Sequence, residues 1–207
     1  MKKLFYFILP VIITSGCCFN SNPPKTEYFT INTPSVYTNY NYQVKVSPFK
    51  VDELYGSKMV FFKEPNSIFF DCFNRWAQTP DKMLTTFFNF YFNNPASPSI
   101  KKDYIPIRLN AVILKFECNL TKKECLLCMK VSAVNISDKK ILFNEIYIEK
   151  QQINSLTASS FASSMSRAVK TVAEKVENKI SNIYKHNNLK IKVNSNGTDP
   201  TPESSRK

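Results

Sequence analysis

The chain has 207 residues, 28 Lys and Arg against 16 Asp and Glu, and a formal charge of +12. Its three glycines (Gly16, Gly56 and Gly197) leave no phosphate-cradling loop, which excludes the ATPase of a transporter. With His186 the only histidine, no nucleophile motif beside it and no recognisable pair of acids, the sequence reads as that of a non-enzyme.

In chain order, Lys2 and Lys3 precede an apolar run from Leu4 to Ile13, which is too short to span a bilayer as a stable helix. Thr14-Ser15-Gly16 then lead into Cys17-Cys18. This order resembles a bacterial lipoprotein signal, although Thr14 stands where such signals usually carry Leu, Val or Ile. The resemblance implies cleavage after Gly16, removal of residues 1–16 and a covalent lipid on Cys17. A multi-chain anchor of this kind is durable, since each buried methylene adds about 0.8 kcal/mol. The competing reading is an ordinary secretory signal followed by two incidental cysteines. Cys18, rather than an aspartate, after the modified residue favours the outer membrane over the inner by the enteric sorting pattern.

Removing Lys2 and Lys3 with the signal lowers the charge by two, to +10, on roughly 190 remaining residues, enough for one medium domain with its own core. The basic doublets Lys101-Lys102, Lys122-Lys123 and Lys139-Lys140 are dispersed beside turn-like sequence rather than gathered into a stripe. That distribution describes a solvated surface, one that also suits anionic lipid headgroups, and argues against nucleic acid.

Residues 17–27, with Pro23-Pro24, read as a semi-extended tether. Tyr28–Ile31 reads as a first strand, and Tyr42–Phe49 as a second with Tyr42, Val44 and Val46 on one face. Lys58–Phe62 and Ser67–Phe70 form a hairpin around Glu64-Pro65-Asn66. Thr79 as N-cap, Pro80 at the first position and Asp81 in the first turn open a helix. Its face of Met83, Leu84, Phe87, Phe88 and Tyr91 is worth roughly 8–15 kcal/mol if buried, before entropy. Asn93-Asn94-Pro95 ends it. Three long strands follow at Ile107–Cys118, Cys125–Asn135 and Lys140–Gln152, with Leu114, Phe116 and Cys118 sharing one face of the first. Thr157 to about Lys185 is a second helix with Phe161, Met165, Ala168, Val172, Val176, Ile180 and Ile183 on one stripe, and His186 at its end. Residues 194–207 read as a disordered tail. The fold class is α/β of the α+β kind: one domain, residues 28–193, with a mixed, largely antiparallel sheet packed by two main helices.

Beyond Cys17 and Cys18, the chain carries Cys72, Cys118, Cys125 and Cys128. Cys125-Leu-Leu-Cys128 has zinc-ligand spacing but lacks a second pair or a histidine, so no metal is expected. Cys118 and Cys125 flank Asn119–Glu124 and are candidates for a disulfide worth about 2–3 kcal/mol, with Cys72 and Cys128 as competing partners.

The element order behind such a signal resembles the ABC-type transport auxiliary lipoproteins (the PqiC/YmbA-like family) over roughly Tyr28 to Tyr184. Arg75-Trp76-Ala77-Gln78-Thr79-Pro80 is similar to the family's Arg-Trp-Ala-Glu-Pro turn into its first helix, with Gln78 for the acid and Thr79 inserted. Tyr28–Ile31, Val44–Phe49 and the small-residue-rich Ala158–Ile180 are similar to its opening strands and last helix. The resemblance implies an outer-membrane lipoprotein facing the periplasm that docks, without catalysis and without a cofactor beyond the lipid on Cys17, onto MCE-domain or ABC transporter components, with homo-oligomerisation around a tunnel as an extension. On composition, Arg75 and Trp76 are either a structural corner or a docking hot spot. Rival readings are a lipid carrier whose cavity is lined by Phe87, Phe88, Tyr91 and Phe161, a structural envelope lipoprotein without a transporter, and a hydrolase of unrecognised type.

Overall fold

The structure is a computed structural model that describes residues 25–33, 42–63, 66–93 and 105–195. The signal peptide, Cys17, most of the tether, Pro34, Glu64-Pro65, Lys101-Lys102 and the tail after residue 195 lie outside the described residues. The elements run β1 (Glu27–Phe29), β2 (Tyr42–Val46), β3 (Lys50–Val51), β4 (Lys58–Lys63), β5 (Ser67–Trp76), α1 (Pro80–Phe92), β6 (Ile105–Asn119), β7 (Glu124–Asn135), β8 (Ile141–Gln152) and α2 (Ala158–Ser195).

One mixed eight-stranded sheet in the order β1-β5-β4-β6-β7-β8 carries both helices, the α+β architecture expected from the element pattern. The long ladders β6–β7 and β7–β8 are antiparallel. Along its other edge β6 receives three short parallel strands in succession, with Val44 opposite Ile107, Lys50 opposite Val112, and Phe61 opposite Cys118. The strand expected over 42–49 therefore breaks after Val46 and resumes as β3, so that one long strand is served by several short ones.

The helices cover one face of the sheet. Ile107, Leu109, Ala111 and Ile113 point into it from β6, and Leu127, Met129, Val131 and Ala133 from β7, all buried. A bulge lies between Ile113 and Lys115. It puts Leu114 and Lys115 together on the outer face and passes the inward role to Phe116 and Cys118. Leu114 is thus 43% exposed and does not share a face with Phe116 and Cys118.

α1 buries Met83, Leu84, Phe87, Phe88 and Tyr91 as its periodicity predicts. Thr79 occupies the N-cap position, yet its side chain makes no capping bond. α2 buries Phe161, Met165, Ala168, Val172, Val176 and Ile180, and Ile183 packs partly buried at the end of the stripe. Ala162, Ser166 and Ala173 lie beside that stripe, and their small side chains let the backbone come close to the sheet. The helix runs on to Ser195, so His186 falls inside it rather than at its end, and residues 194 and 195 are helical rather than tail. Among the described residues no helix is long and apolar enough to cross a membrane.

Candidate functional site

β5 runs past Phe70, where its apolar run stops, to Trp76, and β1 pairs with its last residues, Tyr28 opposite Arg75 and Phe29 opposite Trp76. The Trp76 ring is 1% exposed. It packs edge-on to Phe116 at 5.1 Å and to Phe161 at 5.3 Å, so it joins β5, β6 and α2. A ring in that position cannot anchor a partner; Trp76 is the structural corner. The indole N–H has no hydrogen-bond partner among the described residues, contrary to the backbone bond its chemistry leads one to expect. Arg75 makes no ion pair with Asp71, whose carboxylate instead accepts from the backbone N–H groups of Phe73 and Asn74 at 2.8 Å each and from the Asn74 amide at 2.9 Å.

Cys118 and Cys125 are register partners across β6 and β7 and are free thiols, both fully buried on the helix-covered face. Burial pushes the Cys118 thiol up to about 12 and Cys125 up to about 11. Cys128 points to the opposite face, opposite Lys115 and Ile148, and Cys72 is exposed on β5. Cys125 and Cys128 therefore cannot chelate one ion, and no group of three or more metal-binding side chains occurs among the described residues.

The uncovered face of the sheet carries the least expected feature. Glu145, Tyr147 and Glu149 of β8 point to the helix side, where Lys179 Nζ lies 2.6 Å from Glu145 and Lys175 pairs with Glu149. The hydrogen bond from Lys179 holds the Glu145 carboxyl below its usual range. Ile146 and Ile148 consequently face outward, each 58% exposed, with Ile141 63% exposed on the same side. They continue rows that cross the sheet: Val112–Lys130–Ile146, Lys115–Cys128–Ile148 and Arg108–Val134–Ile141. A shallow depression at the centre is lined by Lys50, Asn110, Lys130, Ser132 and Asn144, with no acid on it. Among the described residues only the β4 side is roofed: Tyr55 Oη donates to Glu117 Oε2 at 2.8 Å, and Lys115 lies 3.4 Å from Glu117 Oε1.

A second exposed apolar group lies on β5, where Ile68, Phe69, Phe70 and Phe73 are each about half exposed, between 43% and 51%. β1 covers only the end of that strand from Asn74 onward. The sequence pattern marks Ser67–Phe70 only as one arm of a hairpin and leaves its exposure open. The available signal was three consecutive apolar residues in a strand, which places large side chains on both faces.

The aromatic positions offered for an acyl cavity are filled by one another instead. Phe88 packs edge-on to Phe49 at 5.2 Å, Phe161 meets Phe61 at 5.4 Å, and Phe87 stacks on Tyr91 at 6.2 Å. A depression beside Phe87 has a volume of about 120 Å³, against the roughly 300 Å³ at which ligand pockets begin.

No family model matches the sequence, and no curated protein matches it. Solved structures do. A crystal structure of an uncharacterized protein superposes with a TM-score of 0.61 at 12% identity, covering 75% of this chain and 99% of that one. The protein XCC0632 from Xanthomonas campestris, of the DUF330 family, gives 0.64 at 12% identity, covering 79% and 99%. The likeness shows that this chain has the fold of the DUF330 protein over nearly the whole length of that protein.

Proposed function

We propose that the chain is a non-enzymatic lipoprotein, acylated on Cys17 and held at the periplasmic side of the outer membrane, that docks as an accessory subunit onto an ABC- or MCE-type lipid transport system. The observation that carries the reading is the inverted edge strand. β8 turns its acids toward α2 and its isoleucines toward solvent, leaving an apolar, basic sheet face without a cover among the described residues. Exposed apolar surface of that extent marks an interaction site. The reading also draws on the resemblance of the element order to the transport auxiliary lipoproteins and on the lipoprotein-like order of residues 1–18, and the α+β fold held in common with a DUF330 protein is compatible with it. The filled aromatic cluster speaks against a carrier that encloses an acyl chain.

The test is affinity purification of the tagged full-length protein from crosslinked native envelopes. Recovery of an MCE-domain or ABC component is the expected result. Recovery of this chain alone or only crosslinked to itself, with known envelope complexes intact as controls, overturns it. Cys17→Ser is expected to abolish processing and release the protein from the membrane fraction.

A further inference from the structure

We propose that Cys118 and Cys125, which the structure holds side by side in the reduced, unbonded state, form a disulfide on oxidation that closes the β6–β7 hairpin on its helix-covered face. Residues directly opposite in an antiparallel ladder have Cα atoms about 4.5–5.5 Å apart, inside the window of about 4.4–6.8 Å that a disulfide requires. These two are such partners, with both side chains on the same buried face. The alternatives that spacing alone leaves open are removed by the fold. Cys128 lies on the other face of the same strand, opposite Lys115. Cys72 lies on β5, two strands from β6 and at least about 9–10 Å away at the usual strand spacing, and three residues along β5 from Phe69, which shares the row of Cys118.

The bond has a place in the fold. Just beyond it, the Leu120 N–H donates to Phe62 O and the Ile153 N–H donates to Lys123 O, each at 2.9 Å. Closing the hairpin end therefore fixes both the seat of β4 and the point where β8 turns toward α2.

The chemistry places the step before folding is complete. In the open chain one thiolate attacks a sulfur of an external disulfide oxidant, and the mixed disulfide so formed is displaced by the second thiolate. Two protons and two electrons leave the chain, one S–S bond forms in it, and the oxidant's S–S bond becomes two thiols. Once folded, the buried thiols offer neither access nor thiolate.

That the bond forms in the cell rests on the export proposed above, and two arms separate the claims. The full chain is reduced, unfolded and refolded in a glutathione redox buffer, then digested with trypsin, which cuts after Lys122 and Lys123. The expected product links Phe116–Lys122 to Glu124–Lys130, with fragmentation between Cys125 and Cys128 placing the bond on Cys125. Folded protein with Cys118 and Cys125 still free, or bonded to any other cysteine of the chain, overturns the proposal. If the full chain does not refold, Cys72→Ser/Cys128→Ser protein isolated from envelopes takes its place, read by the same digest. In the second arm, thiols of envelope protein are alkylated in denaturant at lysis. Label on Cys72 and Cys128 but not on Cys118 and Cys125 supports the bond in the cell. Label on all four, with the linked product found in the first arm, leaves the pair standing and removes the export reading.

Discussion

Trp76 joins three elements, so its substitution reads out packing and not recognition. Trp76→Ala is expected to cost about 3–5 kcal/mol, because the cavity between Phe116 and Phe161 cannot close from both sides. Trp76→Phe is expected to cost less, since it keeps an aromatic ring and deletes an indole N–H that has no partner. Denaturant midpoints of the two variants check the order, and a larger loss for Phe than for Ala would refute the packing account. The sequence showed that the sole tryptophan sits where strand becomes helix, but not that its N–H goes unpaired. Hydrogen-bond satisfaction depends on neighbours brought in from β6 and α2, which local chemistry does not encode.

The cysteine pair makes a pH prediction whose sign follows from burial. Cys118 is raised to about 12 and Cys125 to about 11 from an ordinary value of 9.0, both chiefly by desolvation. In the reduced protein the unfolded chain ionises first. The stability these thiols supply is therefore complete below about pH 9 and falls as pH rises through 11 to 12, by at most about 1.4 kcal/mol per pH unit for each thiol. A disulfide has no such proton to lose. Urea midpoints taken from pH 8 to 10.5 should thus diverge, with the reduced protein losing stability faster than the oxidised one. Parallel curves would count against thiol burial as drawn.

At the scale of elements, the two helix starts present the same residue type with different outcomes. Thr79 precedes α1 without a capping bond, whereas Thr157 Oγ1 accepts the Ser160 N–H at 3.2 Å at the start of α2. Ser160 Oγ in turn accepts from the backbone N–H groups of Asn154 and Ser155. Thr157→Ala is expected to cost about 1 kcal/mol, and Thr79→Ala a few tenths at most; thermal unfolding of the two variants distinguishes them. Periodicity placed the first helix, the start of the second and the three long strands to within a few residues, because one apolar stripe or alternation per element suffices for that; the second helix outruns its apolar stripe and ends at Ser195 rather than near Lys185. It could not place the bulge at Leu114 or the three short strands sharing one edge of β6. Those depend on pairings distant in the chain, and nothing in Ile113-Leu114-Lys115 marks an extra residue. β8 misleads for a different reason. Ile146 and Ile148 alternate with Tyr147 and Glu149 as cleanly as any half-buried strand, and the set that turns inward is the one with buried Phe143 at one end and with acids that meet Lys175 and Lys179 of α2.

For the whole molecule, the proposed docking would use one face of β8 while folding uses the other. Glu149 is buried against α2 and paired with Lys175, so Glu149→Gln should lower stability by about 1 kcal/mol while leaving partner recovery from crosslinked envelopes intact once the protein is folded. Ile146→Glu and Ile148→Glu lie on the other side, where Lys130 and Lys115 stand in the same rows to receive the new charge. Each should change stability by no more than about 0.5 kcal/mol, as surface substitutions usually do, and each should reduce capture of the transport component. Phe70→Glu, on the separate apolar group of β5, tests whether that strand belongs to the same contact. Undiminished capture in both isoleucine variants, with unfolding midpoints unchanged, would mean that the bare face of this sheet is not where the partner sits.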